Sequence, residues 1–191
     1  VSLVRTRLKF DTKEKRFPRK EALYDLYSRS INTMTPVKEL LALDYPHYLE
    51  IEPDIQTVHN GYTQYKRQHN LMDYDDLLVN LALLLKKDES IRAVLSDRHK
   101  YIMVDEYQDT NRVQAELVKL LAFKHRNIMV VGDDAQCIYS FRGSTIKNIM
   151  TFPQEFPDCR IVKLEENFRS TQPILNLANE ILKRGTVVGG E

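Results

Sequence analysis

Hydrophobic residues recur at every third or fourth position from Arg19 to about Leu95, with few β-branched residues among them. This spacing is typical of amphipathic helices. Pro36, Pro46 and Pro53 interrupt the pattern, because proline disfavours helical geometry in the residue before it. The first half of the chain is therefore predicted to form four to six short helices.

The strongest helical pattern begins at Asp73 and ends with Lys86 and Lys87 in its last turn. We expect Asp73 and Asp76 to cap this helix rather than take part in catalysis, because their carboxylates can accept hydrogen bonds from free backbone amides. The pattern also predicts one apolar stripe that belongs to the core. The residues of this stripe are Leu77, Leu78, Leu81, Leu84 and Leu85.

After Lys100 the pattern changes to short apolar runs that alternate with helical segments. The runs at 101–104, 128–131 and 161–164 are predicted to be buried parallel strands. A helix capped by Asn111 and Gln114 is expected between the first two runs, and further helices at 145–150 and 171–183. This alternation predicts an open α/β sheet, with the two halves of the chain meeting between Ser96 and His99. The inward face of the first of these helices is predicted to consist of Val113, Leu117, Leu120 and Leu121.

Composition narrows the class of protein only slightly. The chain has 191 residues, 42% of them hydrophobic, and 28 basic against 27 acidic residues, so DNA binding would need a local basic surface. Cys137 and Cys159 lack the spacing of a zinc site, which favours a reduced intracellular setting. The longest apolar stretch is far shorter than the roughly 20 residues of a membrane helix. We therefore expect a cytoplasmic protein.

Asp105 and Glu106 follow the first predicted strand directly. Ligands of open α/β sheets bind at the carboxyl ends of the strands. An Asp at such a position can hold Mg²⁺, and an adjacent Glu can polarise a water molecule that attacks a γ-phosphate. The pair alone is weak support for this chemistry, because the same two residues could simply open a polar loop.

Longer segments around this pair resemble motifs of the UvrD/PcrA/Rep-type superfamily 1 DNA helicases. Residues 104–111 (VDEYQDTN) resemble motif II, residues 131–144 resemble motif III, and residues 164–171 resemble motif IV, in the same order. Residues 70–78 are similar to the stretch that leads from the helical insertion of these helicases to their motor domain. The resemblance implies a helical insertion (1B-like) subdomain at 1–97, a partial RecA-like motor domain with flanking helices at 98–184, and a flexible tail at 185–191.

The resemblance also implies roles for individual side chains. Asp105 would bind Mg²⁺, Glu106 would activate water, and Gln136 would sense the γ-phosphate. Gln108 would link the nucleotide state to DNA as part of the cofactor site. Arg169 would reach the γ-phosphate and stabilise charge in the transition state. Without the resemblance, Arg169 would be interpreted as an ordinary surface arginine.

Aromatic residues of the same motifs are candidates for base contacts. Phe168 takes the place of an aromatic residue, commonly tyrosine, that lies near the nucleotide base in the resembled family. Tyr139, Phe141 and Arg142 suit the stacking of single-stranded DNA, with Phe141 in place of the usual tryptophan. By composition alone, Tyr139 and Phe141 would be interpreted as core aromatics. Ala135 stands where the family often has aspartate.

Together these features predict part of an ATP-dependent DNA helicase that unwinds duplex DNA in the 3′ to 5′ direction, in repair or replication. ATP and Mg²⁺ are its expected cofactors, and single-stranded DNA and single-strand/duplex junctions its expected partners. No Gly-x-x-x-x-Gly-Lys-Ser/Thr sequence occurs in the chain, so we expect the phosphate loop to lie outside it and the isolated chain to be inactive. The alternatives are a DNA-binding or partner-docking module without catalysis, and a helicase fused to a nuclease.

Overall fold

The helices after Arg19 form where the hydrophobic pattern predicts them. The computed structural model describes residues 1–10, 17–138 and 143–188, with side chains up to residue 184. Helices α2 to α6 confirm the prediction of several short helices between residues 19 and 95. In chain order the elements are α1 Ser2–Arg7, α2 Lys20–Thr33, α3 Val37–Asp44, α4 Glu52–Gln68, α5 Tyr74–Lys87, α6 Glu89–Arg98, β1 Ile102–Val104, α7 Arg112–Leu121, β2 Ile128–Val130, α8 Lys147–Glu155 and α9 Gln172–Val188.

The chain divides into two compact units, Val1–Met150 and Thr151–Glu191. The change from helical to alternating structure falls between α6 and β1, within the first unit. The predicted division into domains at residues 97 and 98 stays a prediction. Among the described residues, no helix is both long enough and apolar enough to span a bilayer.

The first core of the Val1–Met150 unit lies among α1 to α4. Tyr27 is buried there, stacks on His59 with 4.4 Å between ring centroids, and donates a hydrogen bond from its hydroxyl to the Ile55 carbonyl at 2.8 Å. Satisfying this hydroxyl avoids the cost of burying an unpaired polar group. The buried apolar residues of this core are Val4, Phe10, Leu23, Leu26, Tyr27, Val37, Leu40, Leu41, Ile55 and Val58.

The second core lies among α5, α6 and α7, and it corrects the predicted stripe of α5. Ala82 and Leu85 are buried against Val113 and Leu117, with Leu78 packed beside them. The buried face therefore runs through positions 78, 82 and 85, whereas the predicted core residues Leu77, Leu81 and Leu84 are 50%, 36% and 44% exposed. Helix α5 is apolar on two adjacent faces, and α7 covers only one of them. The inward face predicted for α7 is confirmed, because Leu120 and Leu121 also pack against this core.

The sheet consists of β1 and β2, which pair in parallel with Met103 opposite Met129. The parallel pairing and the α/β class are confirmed, but the prediction that these strands are buried is wrong on one face. Met103 is 73% exposed and Met129 is 52% exposed. Successive strand residues point to opposite faces, and in the described part of the chain nothing covers the face that carries the two methionines.

The third predicted strand, at 161–164, does not form in the Thr151–Glu191 unit. Ile161, Val162 and Leu164 lie in an irregular segment and are 68%, 65% and 85% exposed. A strand needs a neighbour to satisfy its backbone hydrogen bonds, and no described residue pairs with this segment. The predicted helices nearby do form, as α8 and α9.

Candidate functional site

Asp105 and Glu106 lie at the carboxyl end of β1, and both side chains are exposed. Glu106 has the left-handed backbone angles φ 50° and ψ 44°, which cost about 1–2 kcal/mol for a residue with a Cβ. The Glu106 amide donates a hydrogen bond to Asp105 Oδ1 at 2.9 Å. The chain thus bends sharply where the strand ends, and this bend presents both carboxylates to solvent.

Gln108 lies behind these carboxylates and is 1% exposed. Its Nε2 donates to Glu106 Oε2 at 2.7 Å, and its Oε1 accepts from the Asp133 amide at 3.1 Å. Gln108 therefore connects the loop after β1 to the loop after β2. Both ends of its amide are bonded to protein, and its contact with a nucleotide stays a prediction.

Gly132 allows this close approach of the two loops. A Cβ at position 132 would lie 2.5 Å from Gln108 Oε1 and 2.8 Å from Ile149 Cδ1. Both distances are shorter than van der Waals contact, so glycine is required for Gln108 to keep its position. Gly132 was not among the predicted site residues, although a glycine directly after an apolar strand was the available signal.

Gln136 joins the same hydrogen-bond network from the loop after β2. Its Nε2 donates to Asp133 Oδ2 at 2.7 Å, while Asp133 Oδ1 accepts from the Ala135 amide at 3.0 Å. The network therefore runs from Glu106 through Gln108 and Asp133 to Gln136. Three predicted site residues are brought together, and Asp133 is the member that sequence reasoning missed.

The far end of the loop after β1, at Thr110 and Asn111, is anchored by the start of α8. Asn148 Nδ2 donates to Thr110 O at 2.9 Å, to Thr110 Oγ1 at 3.1 Å and to Asn111 O at 3.2 Å. The Thr145 amide donates to Thr110 O at 3.3 Å, and Asn111 forms a bridge with Ser144. We call residues 105–111 the carboxylate loop; it is held at both ends.

The placement of the other predicted site residues relative to the carboxylate loop stays a prediction. Phe168 and Arg169 belong to the Thr151–Glu191 unit, where both are exposed. The Arg169 amide donates to Asn167 Oδ1 at 2.9 Å in a local turn. The predicted DNA-binding residues Tyr139, Phe141 and Arg142 lie outside the described residues.

The carboxylate loop fits a magnesium ion that is shared with phosphates. No group of three or more His, Cys, Asp and Glu side chains that could hold a metal occurs within residues 1–10, 17–138 and 143–188. Mg²⁺ commonly takes only one or two carboxylates, and waters and substrate phosphates complete its coordination. Asp105, an exposed carboxylate at the end of a strand, matches that requirement.

Comparison with known proteins agrees with the motifs. A family model described as the UvrD/REP helicase N-terminal domain matches residues 2–157. The chain is 42% identical over 132 residues to the ATP-dependent DNA helicase PcrA of Staphylococcus aureus, and equally so to that of Staphylococcus epidermidis. Each match covers 69% of this chain and 18% of the relative. The chain therefore belongs to the UvrD/REP helicase family.

Proposed function

We propose that the chain is part of a cytoplasmic, ATP-dependent DNA helicase that unwinds duplex DNA in the 3′ to 5′ direction, in repair or replication. The observation that carries this proposal is the hydrogen-bond network from Glu106 through Gln108 and Asp133 to Gln136, at the ends of two parallel strands. Family membership and the names of the PcrA relatives support the same reaction. ATP and Mg²⁺ are the proposed cofactors, and single-stranded DNA and single-strand/duplex junctions the proposed partners.

Each residue of the network has a proposed task in ATP hydrolysis. Asp105 would hold Mg²⁺, which when bound neutralises charge on the terminal phosphates. Glu106 would take the proton of the attacking water at Oε1, because its Oε2 accepts the amide hydrogen of Gln108. Gln136 would contact the γ-phosphate. Because Asp133 and Gln108 connect Gln136 to Glu106 by hydrogen bonds, they would hold these two side chains at a fixed separation.

The remaining predicted residues complete this proposal. Arg169 would stabilise charge on the transferred phosphoryl group, and Phe168 would lie against the nucleotide base. Tyr139, Phe141 and Arg142 would stack on single-stranded DNA, which needs no particular base sequence.

The test is ATP hydrolysis by the complete protein with and without single-stranded DNA, for the native sequence and Glu106→Gln. We expect stimulation by DNA and a fall of at least about a hundredfold in Glu106→Gln, as for loss of a general base. Glu39→Gln, at an exposed position on α3, is the matched control and should keep the native rate. A complete protein that binds single-stranded DNA without hydrolysing ATP would instead support the DNA-binding or partner-docking module.

The isolated 191-residue chain is expected to hydrolyse ATP negligibly. It contains no Gly-x-x-x-x-Gly-Lys-Ser/Thr sequence to cradle the phosphates. Phosphate release should therefore equal that of a sample without protein. Turnover that disappears in Glu106→Gln would contradict this expectation.

A further inference from the structure

Three buried polar side chains connect the helices of the first half to the carboxylate loop. Asn32, near the end of α2, donates from Nδ2 to Asp75 Oδ1 at 3.0 Å and accepts at Oδ1 from Asn111 Nδ2 at 2.8 Å. All three residues are buried, with exposures of 8% to 9%. We call Asp75, Asn32 and Asn111 the asparagine relay.

The relay has a defined direction of hydrogen bonding. The Asp75 carboxylate only accepts hydrogen bonds, so it orients the Asn32 amide with Nδ2 towards α5 and Oδ1 towards Asn111. Ser28 Oγ also accepts from Asn32 Nδ2 at 3.2 Å. Because these groups are shielded from water, a change in any one of them leaves its neighbours without a substitute partner.

Asn111 connects the hydrogen-bonded Asn32 side chain to the carboxylate loop. It ends the loop and caps α7. Its Oδ1 accepts a hydrogen bond from the Gln114 backbone amide at 2.8 Å, and its own backbone amide donates to Gln114 Oε1 at 2.9 Å. With Oδ1 bonded to α7 and Nδ2 bonded to Asn32, the side chain cannot rotate without breaking a hydrogen bond. The end of the carboxylate loop is thus fixed with respect to α2.

Asn32 also touches the segment that follows the proposed DNA-binding residues. Gly143 directly follows Arg142 in the sequence and packs on α2 with φ +84°. A Cβ on Gly143 would lie 3.0 Å from Asn32 Cβ and 3.3 Å from Thr33 Cγ2. The end of the proposed DNA-contacting segment and the end of the carboxylate loop therefore meet at one residue of α2.

We infer that Asn32 and Asp75 are positioning residues that couple DNA binding to ATP hydrolysis, by holding the carboxylate loop and Gly143 against α2. This inference rests on the proposed function. A relay with a merely structural role would change basal and DNA-stimulated hydrolysis by the same factor. A coupling relay changes the ratio of the two rates.

The experiment compares four forms of the complete protein: native, Asn32→Asp, the double variant Asn32→Asp/Asp75→Asn, and Asn60→Asp. Asn32→Asp places two carboxylates together and removes the donor to Asp75. The double variant restores a donor opposite an acceptor at both contacts of the relay. Asn60→Asp makes the same chemical change at an exposed position on α4.

Two readouts are measured on each form. The first is the ratio of kcat for ATP hydrolysis with saturating single-stranded DNA to kcat without DNA. The second is hydrogen–deuterium exchange of the peptides that cover residues 105–115, which does not depend on hydrolysis. Asn32→Asp should lower the ratio by at least about fivefold, the lower end of known coupling energies, and should speed exchange in these peptides. The double variant should restore both readouts, and Asn60→Asp should leave both unchanged.

The outcomes separate this inference from the proposed function. An unchanged ratio in Asn32→Asp, or no recovery in the double variant, overturns the inference while the native rates still support the function. If the native protein shows no DNA-stimulated hydrolysis, the proposed function fails. In that case hydrogen–deuterium exchange alone tests the positioning role of Asn32 and Asp75. Faster exchange in Asn32→Asp that the double variant reverses supports this role. Unchanged exchange in Asn32→Asp overturns it. If Asn32→Asp does not fold, Asn32→Ser, which removes both amide contacts, is measured in the same way.

Discussion

Lys66 is the most enclosed basic side chain among the residues that the structure describes. It is 7% exposed, and its Nζ lies 2.6 Å from Oδ2 of both Asp73 and Asp76 and 4.4 Å from the ring centroid of Tyr62. Burial favours neutral lysine, but the hydrogen bonds and charges of the two aspartates outweigh it and raise the pKa of Lys66. The carboxylates that cap α5 therefore also neutralise a lysine of α4.

Asp73→Asn should weaken this cluster and reduce its dependence on pH. Burial would raise the pKa of Asp73, but hydrogen bonds from Lys66, the Asp76 amide and Tyr62 lower it instead. The ionised Asp73 carboxylate thus stabilises the folded chain fully above its unfolded pKa of about 3.9. This stabilisation is lost as the pH falls through the lower pKa that Asp73 has in the folded chain. Because asparagine also caps helices, the variant should lose only about 1–3 kcal/mol of unfolding free energy at pH 7.

Urea unfolding of the 191-residue chain from pH 7 to pH 3 measures this effect. The difference in stability between the native chain and Asp73→Asn should shrink below about pH 4. Asp25→Asn, at an exposed position on α2, should follow the native curve. A difference that is constant over the whole range would contradict the role of the Asp73 charge.

Gly132→Ala should impair hydrolysis through Gln108. The added Cβ would lie 2.5 Å from Gln108 Oε1, so Gln108 must move and Glu106 loses its hydrogen-bond donor. A displacement of about 1 Å at a reacting group costs on the order of a hundredfold in rate. We expect kcat of the complete protein to fall by that order while KM for ATP changes little.

Gly61→Ala is the control for this prediction. Its added Cβ would meet only side chains, 2.9 Å from Val4 Cγ1 and 3.4 Å from Leu8 Cδ1, in the helical core. It should therefore alter thermal stability without altering kcat. Equal losses of kcat in both variants would show that Gly132 acts on stability alone.

At the scale of secondary structure, the two capping boxes show what local sequence determines. Asp73 with Asp76 and Asn111 with Gln114 each exchange two hydrogen bonds at the start of a helix, as the sequence predicts. These contacts involve residues three positions apart, so they need no knowledge of the rest of the fold. Cap positions are accordingly among the most reliable predictions for this chain.

Gln114→Ala should destabilise α7 by about 1 kcal/mol, the usual order for loss of a cap interaction. The Asn111 backbone amide would lose its acceptor, Gln114 Oε1, at 2.9 Å. The Asn111 side chain would keep its own hydrogen bonds. Thermal unfolding of the 191-residue chain reports the loss. Gln64→Ala, at an exposed position in the middle of α4, should be neutral or stabilising, and a cost equal to that of Gln114→Ala would argue against capping.

Tertiary contacts explain where the sequence predictions were wrong. The leucines of α5 suit a core on either of two faces, and the position of α7 selects Leu78 rather than Leu77. Residues 161–164 have a strand pattern but lack a neighbour to pair with. At the candidate site, motif resemblance identified Glu106, Gln108 and Gln136. Asp133 and Gly132 were missed because their importance arises from contacts with Gln108 across the two loops.

At the scale of the whole molecule, an apolar face of the sheet remains uncovered among the described residues. Met103 and Met129 lie opposite each other on it, and both are exposed. Exposed apolar patches on sheets favour association between copies. The 191-residue chain should therefore self-associate as its concentration rises.

Met103→Lys should reduce this self-association, because it places a charge on the uncovered face. Sedimentation velocity at several concentrations measures the change. Met72→Lys alters another exposed methionine, 61% exposed, outside the sheet, and should associate like the native chain. Identical behaviour of the two variants would contradict association through the sheet.

The asparagine relay also sets an order of events during synthesis. Its contacts span 43 residues between Asn32 and Asp75 and 79 residues between Asn32 and Asn111. Asn111 is made roughly 36 residues after Asp75, which takes about 2–7 s at translation rates of about 5–20 residues per second. During that interval α2 and α5 can meet while Asn32 Oδ1 still faces water, so the helices can assemble before the polar connection that later fixes the carboxylate loop.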